Sequence, residues 1–180
     1  MDRSNHYEVA FEAYLQRHGL CYVAVDETRR ALLGETRVKS LDFIVFGDEG
    51  ARLVIDVKGR RFPGGKRQRP RRVWECWSTR EDVEGLQRWS ELSGYEGLLV
   101  FAYHVLRTVE LPDDTEDLWA FRGRRYLFRG VSARDYRDHM RVRSARWDTV
   151  WLLRADFRAL VRPVSHFLHG APLLTEECPF

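Results

Sequence analysis

Three shortages narrow what this chain can be: few cysteines, few lysines and no long apolar run. The cysteines, Cys21, Cys76 and Cys178, lie far apart with no CxxC pairing. That argues against a disulfide framework, a zinc knuckle or a four-cysteine iron–sulfur cluster. The longest apolar run, residues 98–103, is far too short to cross a bilayer, and the opening MDRSNHYEVAF has no signal-peptide core. A cytoplasmic protein without a membrane partner is expected. No Gly/Ser tract, repeat, Ser/His/Asp order, Walker loop or GxGxxG motif occurs, and Gly64-Gly65 lacks the GK[ST] needed to cradle a nucleotide. His166 and His169 share a helical spacing but have no carboxylate cluster nearby to make a zinc site.

What remains is an ordinary globular composition, 44% hydrophobic and 32% charged over 180 residues. One domain over 1–180 is expected, with a core at about 5–106 and a C-terminal elaboration at about 107–180. The net charge is only +3, so attraction to a polyanion has to come from uneven placement. The stretch KGRRFPGGKRQRPRR, residues 58–72, holds eight Lys/Arg and no Asp or Glu. Its Gly and Pro residues and self-repelling charge predict a weakly ordered loop, with Arg60, Arg61, Lys66, Arg67, Arg69, Arg71 and Arg72 facing an anion.

Tyr7, Phe11, Tyr14 and Leu15 recur at helical spacing, so residues 6–18 are predicted to form a helix that stops at Gly19. A strand over 20–25 follows. Two β-rich runs, 40–46 and 52–58, flank Gly47-Asp48-Glu49-Gly50 as a hairpin does. Thr79 is placed to cap a helix reaching about residue 92, with Glu81 and Asp82 in its first turn where carboxylates suit the dipole. A buried strand over 98–105, a second hairpin around Arg122-Gly123-Arg124-Arg125, a short helix capped by Ser132 and another over 156–161 complete the reading. The order predicts an α/β (α+β) fold with a mixed sheet flanked by helices.

Alternate strand residues share a face, so Asp56 and Lys58 are neighbours. If Asp48-Glu49-Gly50 is a three-residue turn, Gly47 opposes Ala51 and Asp42 directly opposes Asp56; a two- or four-residue turn separates them onto opposite faces. Two opposed carboxylates repel one another in strands otherwise apolar, and call for a positive partner such as Lys58 or an oxygen-ligated divalent cation. Only Lys39, Lys58 and Lys66 are lysines among 30 basic residues, so a lysine kept beside Asp56 marks a need for a compact ammonium. Glu8 and Glu12 lie one helical turn apart, with Glu8 at the rim of the apolar stripe.

Asp42 followed by Asp56-Val57-Lys58 after a hairpin, behind a glutamate-bearing helix, resembles the PD-(D/E)xK nuclease superfamily. The helix itself reads His6-Tyr7-Glu8-Val9-Ala10-Phe11-Glu12, which looks like the signature of the HYExAFE proteins. The layout of residues 7–58 is similar to archaeal Holliday-junction resolvases. The resemblance implies a restriction-endonuclease-like sheet and a Mg²⁺ ion, or Mn²⁺ in its stead, held by Glu8, Asp42 and Asp56. It also implies that Lys58 positions the attacking water or stabilises charge on the phosphorane-like centre. Glu12 is the alternative helix acid, and Gln87 and His6 are accessory candidates. Leu41 stands where the superfamily often has proline. The expectation is a metal-dependent endo- or exodeoxyribonuclease whose partner is DNA, serving repair, recombination or restriction, with a homodimer left open. The competing expectations are a non-cutting nucleic-acid-binding protein of the same fold and a phosphate-ester hydrolase unrelated to DNA.

Overall fold

The computed structural model describes residues 5–25, 31–33, 36–38, 41–66, 68–112 and 115–169. Helix α1 (His6–Arg17) starts where the Asn5 side chain accepts the Tyr7 N–H, and leads into β1 (Cys21–Ala24). Two short strands, β2 (Ala31–Leu33) and β3 (Thr36–Val38), pair with each other. The hairpin β4 (Phe43–Phe46) and β5 (Arg52–Phe62) turns through Asp48–Gly50, where Glu49 at φ 52° and Gly50 at φ 83° both adopt the left-handed region. This is the three-residue turn: the Gly47 N–H reaches the Ala51 carbonyl, and Phe43 pairs with Ile55.

Strand β5 does not stop at Lys58. It continues through Phe62 because the whole strand is paired in parallel with a partner, Leu53 with Glu96 through to Phe62 with Val105. The basic stretch expected as a structureless loop instead forms the end of β5 and a second hairpin, β6 (Gly64–Lys66) against β7 (Arg69–Arg71). Gly65, within β6 opposite Pro70, sits at φ +79°, a left-handed conformation that glycine adopts without steric cost. Arg67 lies outside the described residues. The chain then passes β8 (Ser78–Thr79) into α2 (Arg80–Ser93), closed by left-handed Gly94, and into β9 (Glu96–Val105).

The region past residue 107 completes the main sheet. Strands β10 (Leu118–Phe121) and β11 (Arg124–Ser132) form a hairpin over Arg122-Gly123, and β11 pairs with β9 along its length. Helix α3 (Ala133–His139), the β12 (Arg141–Ser144) and β13 (Thr149–Trp151) hairpin, α4 (Arg154–Leu160), β14 (Arg162–Pro163) and α5 (Val164–Leu168) follow. The seven-stranded sheet runs β1-β4-β5-β9-β11-β10 with β14 on β11, antiparallel except at β5–β9. It is a mixed sheet flanked by helices. A smaller sheet, β12-β13-β8, lies beside it.

The two faces of the sheet carry separate cores. On one, Phe11 and Leu15 of α1 and Leu168 of α5 pack on Leu53, Ile55 and Val57. On the other, Val83 and Leu86 of α2, Tyr136 of α3 and Phe157 of α4 pack on Val54, Phe101 and Tyr103. The alternation of β5 therefore decides which layer each of its side chains meets. No helix among the described residues is long and apolar enough to cross a membrane.

Candidate active site around Lys58

Val54, Asp56 and Lys58 share the α2-facing side of β5, whereas Ile55 and Val57 face α1. Counting one step beyond the Phe43–Ile55 pair brings Asp42 level with Asp56. The Asp42 backbone N–H donates to the Ile55 carbonyl at 2.9 Å, and its Oδ2 accepts the Val57 N–H at 2.6 Å. The carboxylate is thus clamped to the strand that carries Asp56 and Lys58. Lys58 Nζ stands 2.6 Å from Asp56 Oδ2 and 2.7 Å from Asp82 Oδ2. Asp42, Asp56 and Asp82 are exposed by only 4%, 8% and 5%, so the site concentrates buried carboxylates around one ammonium. Such groups are tolerated in an interior only when paired and hydrogen-bonded.

Asp82 is the residue that sequence reasoning missed as a site residue. It is the third residue of α2, and the Thr79 hydroxyl accepts its N–H while its carboxylate accepts the Thr79 N–H at 3.4 Å. The Ser78 hydroxyl also donates to it, at 3.3 Å. The signal was the Thr-x-x-Asp spacing, a capping box, which explains the helix start but does not disclose that Lys58 approaches the same oxygen.

The α1 glutamates lie on the other layer. Glu8 accepts from the Asn5 side chain, and Glu12 accepts the Tyr22 hydroxyl at 3.0 Å. Among the described residues no three His, Cys, Asp or Glu side chains stand close enough to hold an ion together; the expected set of Glu8 or Glu12 with both aspartates is not brought together here. The physical reason is the alternation of β5: Asp56 points toward α2 and away from the layer that α1 covers. Asp42 and Asp56 offer the oxygen donors that a hard cation takes. Mg²⁺ prefers oxygen donors and commonly takes one or two carboxylates, completing its shell with water and substrate phosphate oxygens.

Gln87 donates to Glu91 at 3.1 Å, one turn along the exposed side of α2, and does not join the site. His6 Nδ1 lies 3.0 Å from the Tyr126 hydroxyl, beside His104, on the α1 side. Burial, helped by the nearby Arg124 charge, lowers the pKa of His6, and burial with the same arginine does so for His104. His169 lies 2.6 Å from an Asp48 oxygen, and the buried thiol of Cys76 donates to the Leu152 carbonyl.

The basic residues divide. Lys66, Arg69, Arg71 and Arg72 are exposed on and just after the β6–β7 hairpin, and Arg61 is exposed at the end of β5. Arg60 is turned inward: it donates to the Gly59 and Trp77 carbonyls and lies 3.9 Å over the Trp77 ring. It is engaged by the fold and is not presented to solvent as the other arginines are.

Among solved structures, the chain is similar to a Holliday junction resolvase. That protein is Hjc of Archaeoglobus fulgidus, 13% identical, with 86% of this chain and 91% of that chain covered at a TM-score of 0.47. No family model matches the chain, and no curated protein matches it. The HYExAFE likeness therefore rests on the α1 residues alone.

Proposed function

We propose that the protein is a divalent-metal-dependent nuclease that hydrolyses DNA phosphodiester bonds at Asp42, Asp56 and Lys58. The observation that carries this reading is the Lys58 ammonium, held between the buried carboxylates of Asp56 and Asp82, with Asp42, just before β4, level with Asp56. Hydrolysis of a phosphodiester builds negative charge on the non-bridging oxygens. A preorganised ammonium in a partly dehydrated site stabilises that charge without reorganising at the moment of reaction. Asp56 and Asp82 fix where the ammonium sits, and the backbone N–H of Val57 fixes Asp42. Asp42 and Asp56 would hold Mg²⁺, or Mn²⁺, which when bound polarises the phosphoryl group and lowers the pKa of water. The exposed Lys66, Arg69, Arg71 and Arg72 are suited to phosphate contacts, which give affinity without sequence information.

A second reading has its own observation. The Lys58–Asp82 ion pair also staples α2 to β5, as a non-cutting DNA-binding protein of this fold could require. One experiment separates them: purified wild type and Asp56→Asn, incubated with linear, nicked, branched and single-stranded DNA in Mg²⁺, Mn²⁺ or EDTA. The nuclease reading expects cleavage that EDTA and Asp56→Asn each abolish. DNA binding by Asp56→Asn should be equal or tighter, since a negative charge near the backbone path is gone. Equal cleavage by the two proteins would show Asp56 to be structural and overturn the assignment.

A further inference from the structure

Two residues beyond Lys58, on the same side of β5, the chemistry changes from carboxylate to aromatic. Arg60 lies under Trp77 at 3.9 Å, and Arg143 of β12 approaches the same indole at 4.8 Å. The indole N–H donates to Glu75 at 3.3 Å. Next to it Trp74 is stacked on Phe62 with centroids 3.6 Å apart and planes 4° from parallel. These two rings are held by their neighbours and line a cleft of about 450 Å³, with Trp151 on its wall. A second hollow adjoins the first through Trp77 and Arg143 and reaches Trp147. Trp151 is 40% exposed and Trp147 68% exposed, both at the β12–β13 hairpin. Two large exposed rings on one hairpin, each on one of two adjoining hollows or their walls, mark a surface with a partner.

The charge of the cleft says which partner. Five of its lining residues are arginines (Arg71, Arg72, Arg143, Arg154 and Arg158) against a single carboxylate, Glu75, already engaged by Trp77. A purely apolar ligand or an apolar helix would leave these guanidinium groups unmatched. A strand with flat bases and one phosphate per residue matches both the rings and the arginines, because base–aromatic stacking tolerates any sequence and Arg follows the backbone. A duplex hides its base faces and cannot use the rings. A chain of contacts links the wall of the cleft to the candidate active site: Ser78, next to Trp77, donates to Asp82, which holds Lys58.

We propose that this cleft and the hollow that adjoins it seat an unpaired segment of a DNA strand, stacked on Trp151 in the first and Trp147 in the second and held by the surrounding arginines, beside the bond presented to Lys58. The proposal rests on the nuclease reading for its choice of DNA, and assigns that enzyme a substrate with single-stranded or splayed character.

The test measures fluorescence anisotropy of the full-length chain in EDTA with four labelled probes. They are a thymidine oligomer of about 15 nucleotides, within the ~4–16 typical of one single-strand site, an abasic strand of equal charge, a duplex, and a uridine ribo-oligomer. Wild type should bind the thymidine strand at least about tenfold more tightly than the abasic strand. The double variant Trp147→Ala/Trp151→Ala should lose that preference, and Trp147→Phe/Trp151→Phe should recover it, with circular dichroism confirming that each is folded. Equal affinity for abasic and thymidine strands, or a preference kept by a folded double alanine variant, overturns the stacking cleft. Tighter binding of duplex or of the uridine strand overturns the unpaired-DNA occupant. Cleavage is scored separately with Mg²⁺. A thymidine preference without any cleavage sinks only the nuclease reading, and cleavage without the preference sinks only this one.

Discussion

The two faces of the main sheet are built from the same strands but solve different problems. The α1 face is a closed aromatic and aliphatic core in which Phe11 meets Phe43 and Phe128 edge to face, with centroids 5.5 and 5.2 Å apart. The α2 face has an equally dry core of its own, yet at one end it accepts three buried carboxylates, a lysine and a row of tryptophans and arginines. Buried charge is costly wherever it is put, and here it is gathered at one end of one face. Substitutions on the first face should therefore cost stability, and substitutions at the charged end of the second should cost activity.

The largest expected effect breaks the first face. Phe11→Ala removes a fully buried ring between two others and should destabilise by about 3–5 kcal/mol, measured by urea unfolding; Asp56→Asn in the same assay should move the midpoint far less. Next comes Asp82→Ala, which removes one of the two carboxylates on Lys58 and half of the α2 capping box, for about 2–3 kcal/mol. Asp82→Asn separates positioning from stapling. The amide keeps the shape and can still accept the cap hydrogen bonds, so a fall in kcat with an unchanged midpoint supports positioning of Lys58, whereas a lowered midpoint with unchanged kcat supports the staple.

A smaller effect is expected on the α1 face, at the residue next to Lys58. A Cβ added to Gly59 would lie 2.2 Å from Tyr7 Cδ2, so Gly59→Ala must displace the Tyr7 ring, or α1 with it, beside Lys58, at about 1–3 kcal/mol. A smaller side chain at residue 7 in the same protein should recover part of the loss.

The smallest effect is the pH dependence of the α1 face. His6 and His104 have pKa values below 6.5 in the fold, mainly from burial and then from Arg124. The unfolded chain takes up protons first as pH falls through 6.5, so stability from these groups is complete above that value and declines below it. His6→Gln should flatten the acid side of a midpoint-against-pH curve; an unchanged curve would remove His6 as its source.

How much of this could be read in advance depends on the range of the interaction. The Asp42–Asp56 register follows from a three-residue turn between two runs of alternating residues, all within 15 positions of one another, and local rules suffice for it. The basic stretch reads as a loop because Gly64, Gly65 and Pro63 argue locally for a break, while the pairing that prolongs β5 comes from β9, some 40 residues later. Asp82 was legible as a helix cap and not as a partner for Lys58, since nothing near residue 82 announces β5. Trp77 and Arg143 belong to one cleft through the small sheet that joins β8 to β13, a contact without any sequence signature.

The parallel pairing of β5 with β9 also sets an order of events. Asp42, Asp56 and Lys58 are on the hairpin by local pairing, but β5 is locked along its length only when Leu53 finds Glu96 and Phe62 finds Val105. Pairings across so long a stretch of chain form slowly, because closing the loop costs entropy before any bond is gained. A nascent chain that has not yet delivered β9 therefore carries the whole Asp-x-Lys motif, and the α2 acid that orients its lysine, without the sheet that holds them together. Under the nuclease reading, the site is assembled only when β9 has arrived, so an unfinished chain is expected to be inactive.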